Sequence, residues 1–202
     1  MDRGRYIVLE GPEGCGKSTH AARLADALGA VLTRETGGTR IGAKVRAILH
    51  DTENVELAAR AEALLIAGDR AQHAAEVLEP ALAAGRHVVS DRSVYSSLAY
   101  QAYGRGLDYA DVRDINEWAL GGLWPDLVLH LTVPAAQLAR RMHHRQLDRF
   151  EREQESFHAR VRAGFEEMAA QEPDRWVIID ATSPHEVTAA AIRAAVTERL
   201  GL

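Results

Sequence analysis

Four apolar residues, Tyr6-Ile7-Val8-Leu9, run through Glu10 into Gly11-Pro12-Glu13-Gly14-Cys15-Gly16-Lys17-Ser18, and a helical pattern opens at Lys17. Strand, glycine turn and helix in that order constrain the fold more than any other stretch. The spacing Gly11-x-x-x-x-Gly16-Lys17-Ser18 is that of a phosphate-binding loop. Its glycines let backbone N–H groups turn inward around the β- and γ-phosphates, and the helix N-terminus adds a positive end. Lys17 neutralises phosphate charge, the Ser18 hydroxyl is placed to ligate Mg2+, and Thr19 completes the nucleotide-binding run. The expected ligand is ATP with Mg2+. A guanine-reading switch protein needs a lysine in an Asn-Lys-x-Asp segment. The only other lysine, Lys44, lies in Ala43-Lys44-Val45-Arg46, which excludes that class.

Downstream, short apolar runs alternate with longer helical patterns. Strands are predicted over Tyr6–Leu9, Ala30–Thr33, His87–Ser90, Leu127–Val133 and Trp176–Ile179. Helices are predicted over Lys17–Leu28, Arg40–Leu49, Val55–Ala84, Val94–Tyr103, Tyr109–Gly121, Ala135–Met142, Glu151–Ala170 and Pro184–Leu200, the last with Ser183 as N-cap. Such alternation predicts an α/β fold, a five-stranded parallel sheet covered by helices on both faces. No repeat or linker divides the 202 residues, so one domain spanning 1–202 is expected.

A formal charge of −5 argues against a general nucleic-acid binder, and no aromatic–basic interleaving points to one. No apolar run reaches the length of a membrane span, and none fits a signal peptide. The single cysteine, Cys15, asks for no oxidising compartment. Cytoplasmic residence is the expectation.

Val88-Val89-Ser90-Asp91-Arg92 sets an acid and a guanidinium at the C-terminal end of a strand, the edge where open α/β sheets bind ligands. Asp91 is placed to hold Mg2+ or its waters, and Arg92 to grip a phosphate. Here the chain resembles the bacterial thymidylate kinase family over essentially its whole length. The resemblance rests on Thr33-Arg34-Glu35-Thr36-Gly37-Gly38-Thr39, on the segment from Asp91-Arg92 to Tyr100-Gln101, on Gly104-Arg105-Gly106-Leu107, on Trp124-Pro125-Asp126-Leu127, and on Leu147-Asp148-Arg149-Phe150-Glu151. It implies a nucleoside monophosphate kinase fold with a lid over about residues 141–153. It also implies transfer of the ATP γ-phosphate to dTMP, and a homodimer. By carry-over, Glu13 lies near the sugar 3′-hydroxyl, Arg70 holds the acceptor phosphate, Arg92 bridges donor and acceptor, Ser97 meets the pyrimidine edge, and Tyr100 crowds the 2′ position.

Arg141, Arg145 and Arg149 are four residues apart, so a continuous helix aligns them on one face. Gly14 occupies the loop position where some members of the family carry a catalytic arginine. The resemblance then assigns the transferred charge to the lid, with Arg149 first and Arg145 second. Lys17 and Arg92 complete the catalytic set. No general base is required, since a phosphate monoester is mostly a dianion at neutral pH, with its second pKa about 6. Adjacent His143 and His144 lack metal-ligand spacing. Four positions depart from the family: Ile66 for a base-stacking phenylalanine, Thr36 for proline, Ser93 for an aromatic, and Thr132 for aspartate. The alternatives left open are a kinase for another pyrimidine nucleotide and a nucleotide-binding module without turnover.

Overall fold

The computed structural model describes residues 3–142 and 147–202. Five strands, β1 (Tyr6–Glu10), β2 (Val31–Arg34), β3 (Val88–Asp91), β4 (Leu127–Thr132) and β5 (Trp176–Asp180), form one parallel sheet in the order β2-β3-β1-β4-β5. Parallel strands need crossover helices, which cover both faces, so a central strand is apolar on both sides. Tyr6 and Val8 accordingly enter one core with Val88, Val128, Tyr95, Leu98, Phe165 and Trp176. Ile7 and Leu9 enter the other with Val89, Leu129, Leu131, Leu24 and Ile192.

Helices α1 (Lys17–Leu28) and α9 (His185–Leu200) pack on the second face. The first face is covered by α5 (Val94–Ser97), α6 (Tyr109–Leu120) and α8 (Glu155–Gln171); α3 (Ala59–His73) packs against α6, and α2 (Arg40–His50) lies against α3. Helix α7 (Ala135–Met142) follows β4.

Most predicted elements are present, with four differences that have local causes. The segment expected as one helix over 55–84 begins at Ala59, passes through a π-helical stretch, Ala74–Leu78, and ends as α4 (Glu79–Ala83). The helix expected over 94–103 continues from α5 as a second π-helical stretch, Leu98–Gly104, which widens the turn where it borders the cleft described below. α8 starts at Glu155 rather than Glu151, because Asp148 and Glu151 bind each other's backbone N–H, at 2.9 Å in both directions, and close a separate turn. Pro184, not Ser183, caps α9; Ser183 offers only its carbonyl, to the Thr188 hydroxyl.

Register places the chemistry. Leu9 pairs with Asp91, and Glu10 with His130, so the phosphate loop leaves β1 beside the end of β3. Gly11 has φ +141°, and a Cβ there would stand 2.4 Å from the Leu131 carbonyl oxygen. The loop therefore turns against β4 only with glycine at this position.

Candidate active site

At the C-terminal edge of the sheet, Lys17 is buried and donates to the Pro12 carbonyl at 2.8 Å. Burial and Arg92 push its pKa down, but Cys15, Glu13 and Asp91 outweigh them and hold it above the ordinary lysine value. Cys15 is buried with Sγ 3.9 Å from Nζ, packing inside the loop. The Ser18 hydroxyl donates to Asp91 Oδ2 at 2.5 Å, while Asp91 Oδ1 is buried without a partner. A hydroxyl and a carboxylate with a vacant oxygen form the hard-oxygen donor set that suits Mg2+ bound to a nucleotide's phosphates. Among the described residues no cluster of three or more His, Cys, Asp or Glu could hold a metal by itself.

Arg92 adopts φ +73°, the one non-glycine residue in that region among those described. Its N–H binds the Leu9 carbonyl at 3.0 Å, and its own carbonyl accepts from the Ser90 hydroxyl at 2.7 Å. The strand thus ends in a kink that turns the guanidinium into the cleft. Arg92 pairs with Glu13, donates to Ser96 Oγ at 3.0 Å and lies 4.0 Å from Glu10. It also lies 5.3 Å over the Tyr100 ring. Burial lowers its pKa, yet Tyr100, Glu13, Glu10 and Asp91 carry it well above the arginine value.

Beneath it, Glu10 is fully buried and accepts from the hydroxyls of Ser93 and Ser96 at 2.7 Å each. Burial raises its pKa against the pull of Arg92 and both serines. The Ser93 hydroxyl thus supplies one of the donors that a buried carboxylate needs.

A cleft of about 310 Å³ extends from the loop under the lid. Glu13, Arg92, Ser97, Tyr100 and Ile66 all line it, as does Arg70. Arg70, expected to hold the acceptor phosphate, is engaged by partners within the protein. Its Nε donates to Glu35 at 2.9 Å, its Nη1 to Asn116, and its Nη2 to the Ser93 carbonyl at 3.2 Å, all buried. Glu35 also accepts from the His73 ring Nδ1–H at 2.9 Å. Burial raises the Glu35 pKa, but Arg70 and His73 outweigh it and hold the carboxyl below its usual value. Arg70 is neutralised in place.

Arg46, which the sequence reading passed over, lines the same cleft and is half-buried. Its Nη1 donates to the Thr36 carbonyl at 3.1 Å, and among the described residues it forms no salt bridge. Burial and the neighbouring Arg34 lower its pKa. A guanidinium so placed favours an anion.

Deeper in, the Ser97 hydroxyl and Gln101 Oε1 are buried and unpartnered. The Gln101 Nε2 donates to Glu62 at 2.9 Å. Ser97, Tyr100 and Gln101 share one wall because they follow one another by a turn through α5 and the π-helical stretch. The His130 imidazole also borders the cleft, its pKa lowered to about 4 by burial and by Lys17, so it is neutral at physiological pH.

The lid differs from expectation. Leu147 and Asp148 are not helical and Arg149 opens a turn, so Arg149 shares no continuous helix face with Arg141. Arg149 binds buried Glu62 at 2.5 Å and the Leu49 carbonyl at 2.8 Å, beside the hydrogen bond of Asp148 with His50 at 2.6 Å. Arg141 instead reaches the phosphate loop, donating to the Gly14 and Ala181 carbonyls at 3.2 Å each. Arg145, His143 and His144 lie outside the described residues.

The loop thus faces, across Arg92, a second cleft that Arg46 and Arg70 also line, and comparison gives that arrangement its family. The thymidylate kinase family model matches residues 9–192. The chain belongs to the thymidylate kinase family. It is 47% identical over 199 residues to the thymidylate kinase of Desulforudis audaxviator, covering 96% of this chain and 90% of that one. With the thymidylate kinase of Deinococcus radiodurans the identity is 45%, over 98% and 99% of the two chains. The crystal structure of thymidylate kinase from Ehrlichia chaffeensis superposes with a TM-score of 0.80 at 26% identity, covering 96% and 99%. The thymidylate kinase family is one of ATP-dependent phosphotransferases, and no helix among the described residues is long and apolar enough to cross a membrane.

Proposed function

We propose that this family member is a cytoplasmic enzyme that transfers the γ-phosphate of ATP to dTMP, giving dTDP and ADP. One observation carries the choice of base. Gln101 turns its Nε2 to Glu62 and leaves Oε1 unpartnered in the cleft wall. That acceptor suits the N3–H of a thymine or uracil ring and opposes cytosine, whose N3 is itself an acceptor. The Ser97 hydroxyl beside it serves the neighbouring carbonyl, and Tyr100 closes the sugar's 2′ side.

In this reading the loop from Gly11 to Thr19 holds the donor phosphates, and Lys17 follows charge onto the transferred group. Arg46 and Arg92 seat the acceptor phosphate, in place of Arg70, whose charge Glu35 already cancels. An acceptor oxygen then bonds to the γ-phosphorus as the bond from that phosphorus to the β–γ bridging oxygen breaks. The acceptor arrives as a dianion, so no residue needs to remove a proton. Bound at Ser18 and Asp91, Mg2+ would stabilise charge on the phosphate oxygens. Arg141 is the lid arginine whose seat favours the donor side, while the contacts of Arg149 favour a role in anchoring the lid.

A coupled ADP-release assay across dTMP, dUMP, dCMP, UMP and CMP tests this. The expected order puts dTMP first and both cytosine nucleotides last. A cytosine preference, or no turnover with any acceptor, would defeat the proposal. We further propose a homodimer through α2, α3 and α6, which leave Ile48, Leu64 and Trp118 exposed. Trp118, 87% exposed, is the anchor this predicts. Light scattering should give twice the chain mass, reduced to one chain by Trp118→Asp.

A further inference from the structure

Glu62 on α3 is fully buried, far from any role that the transfer reaction requires of it. Four donors from three side chains converge on its two oxygens. Oε1 accepts from Gln101 Nε2 at 2.9 Å and Arg105 Nε at 3.1 Å. Oε2 accepts from Arg105 Nη2 at 3.1 Å and Arg149 Nη2 at 2.5 Å. One carboxylate therefore holds both a wall of the acceptor cleft and the end of the lid. Arg105 joins the two, since it also pairs with Glu153 and lies 4.9 Å over the Phe157 ring.

We propose that Glu62 is a positioning residue that sets base specificity and lid seating together. A carboxamide can present either its oxygen or its NH2 to a ligand, and nothing in glutamine itself selects between them. A carboxylate accepts and never donates, so Glu62 forces the Gln101 NH2 toward itself and the oxygen toward the base. The same charge holds Arg149 against the body of the protein. Specificity for an N3–H base and the position of the lid thus depend on one group that touches neither substrate. This rests on the reading of Gln101 as the base-facing acceptor.

The test is Glu62→Gln, which keeps shape and removes the charge. A glutamine at this position must place its NH2 at one of the two oxygen sites. The Oε2 site faces only arginine donors. At the Oε1 site one neighbour is Gln101, whose amide can rotate to accept. Rotation there turns the Gln101 NH2 into the cleft, where it meets the N3 of cytosine. The ratio of kcat/KM for dTMP over dCMP is expected to fall by on the order of 10- to 100-fold, with the dCMP value rising in absolute terms. Trypsin cleavage after Arg149, followed by mass spectrometry, is expected to accelerate at least several-fold as the lid loses its anchor.

An unchanged ratio, or one that falls only because every acceptor is used less well, overturns the specificity half. Unchanged cleavage after Arg149 overturns the lid half. Gln101→Ala separates the proposal from the reading beneath it. If that variant keeps full dTMP-over-dCMP preference, the base reading fails. If it loses the preference while Glu62→Gln keeps it, only the role of Glu62 fails. Should Glu62→Gln not fold, side-chain NMR of the unaltered protein decides. Gln101 amide protons that exchange slowly, before and after dTMP binds, support a fixed amide; rapid exchange in either state overturns it.

Discussion

Replacing Arg92 with glycine is expected to lower kcat/KM for dTMP by about 10³- to 10⁵-fold, the range over which a bridging arginine acts in phosphoryl transfer. Glycine is the informative substitution because Arg92 sits at φ +73°. A side chain in that region costs about 1–2 kcal/mol, which glycine avoids, so the backbone kink survives removal of the guanidinium. The loss then reports charge and positioning rather than a collapsed turn. Arg92→Ala carries the same chemical loss plus the conformational cost, and should melt lower than the glycine variant.

The substitution also exposes an electrostatic debt beneath the site. Burial already raises the pKa of Glu10, and Arg92 is the largest influence pulling it down. Without Arg92 the folded-state pKa rises further above the unfolded value of about 4.3. A raised folded pKa contributes stability that is present below the unfolded pKa and lost as pH rises through the folded one. Denaturation of Arg92→Gly should therefore show a larger deficit against the unaltered protein at pH 8 than at pH 5. A kcat/KM within tenfold of the unaltered enzyme would remove Arg92 from the reaction. Equal stability deficits at the two pH values would remove the account of Glu10.

The elements of this fold were legible wherever local chemistry announces itself. The phosphate loop needs glycines at fixed spacing, and Asp91-Arg92 ends a run of β-branched residues, so both stood out from their neighbours alone. Lid geometry did not, because the four-residue spacing that runs from Arg141 through Arg145 to Arg149 assumes a helix, whereas a turn between Asp148 and Glu151 holds Arg149. Arg70 carried the opposite lesson. Its place in the sequence suggested a phosphate grip, but its counter-ion Glu35 is 35 residues away and only folding brings them together. Glu62 sits in an ordinary alanine-rich helix, and nothing local marks it as buried. Gln101 was within reach, four residues beyond Ser97 and thus on the same face, but its free oxygen is defined by Glu62, a non-local partner. Ser93, which departs from the family's aromatic, donates to buried Glu10, a partner 83 residues away that its neighbours in sequence do not announce. Ile66 does line the cleft and offers an apolar wall without a π-face.

Asp91→Asn is expected to reduce kcat by on the order of 10³-fold and to abolish the benefit of Mg2+ to nucleotide binding. The reason lies in the two oxygens of one carboxylate. Oδ2 is engaged by the Ser18 hydroxyl, while Oδ1 is buried without a partner. An unpartnered buried carboxylate oxygen is costly unless a cation or its water meets it, so the site is built for a ligand that completes it. Asparagine keeps the shape and must direct its NH2 toward one of the two positions. Toward Ser18 it opposes a hydroxyl that now must turn its proton away; toward the vacant side it presents a donor where a cation belongs. Thermal shift separates binding from turnover. With ATP alone, both proteins should gain similar stability from the loop. Adding Mg2+ should raise the midpoint of the unaltered protein further, through tighter binding to the folded state, and leave the variant where it was. A variant that keeps the full Mg2+-dependent shift would show that Asp91 serves only to hold Ser18, and the metal's ligands would have to be sought elsewhere in the loop.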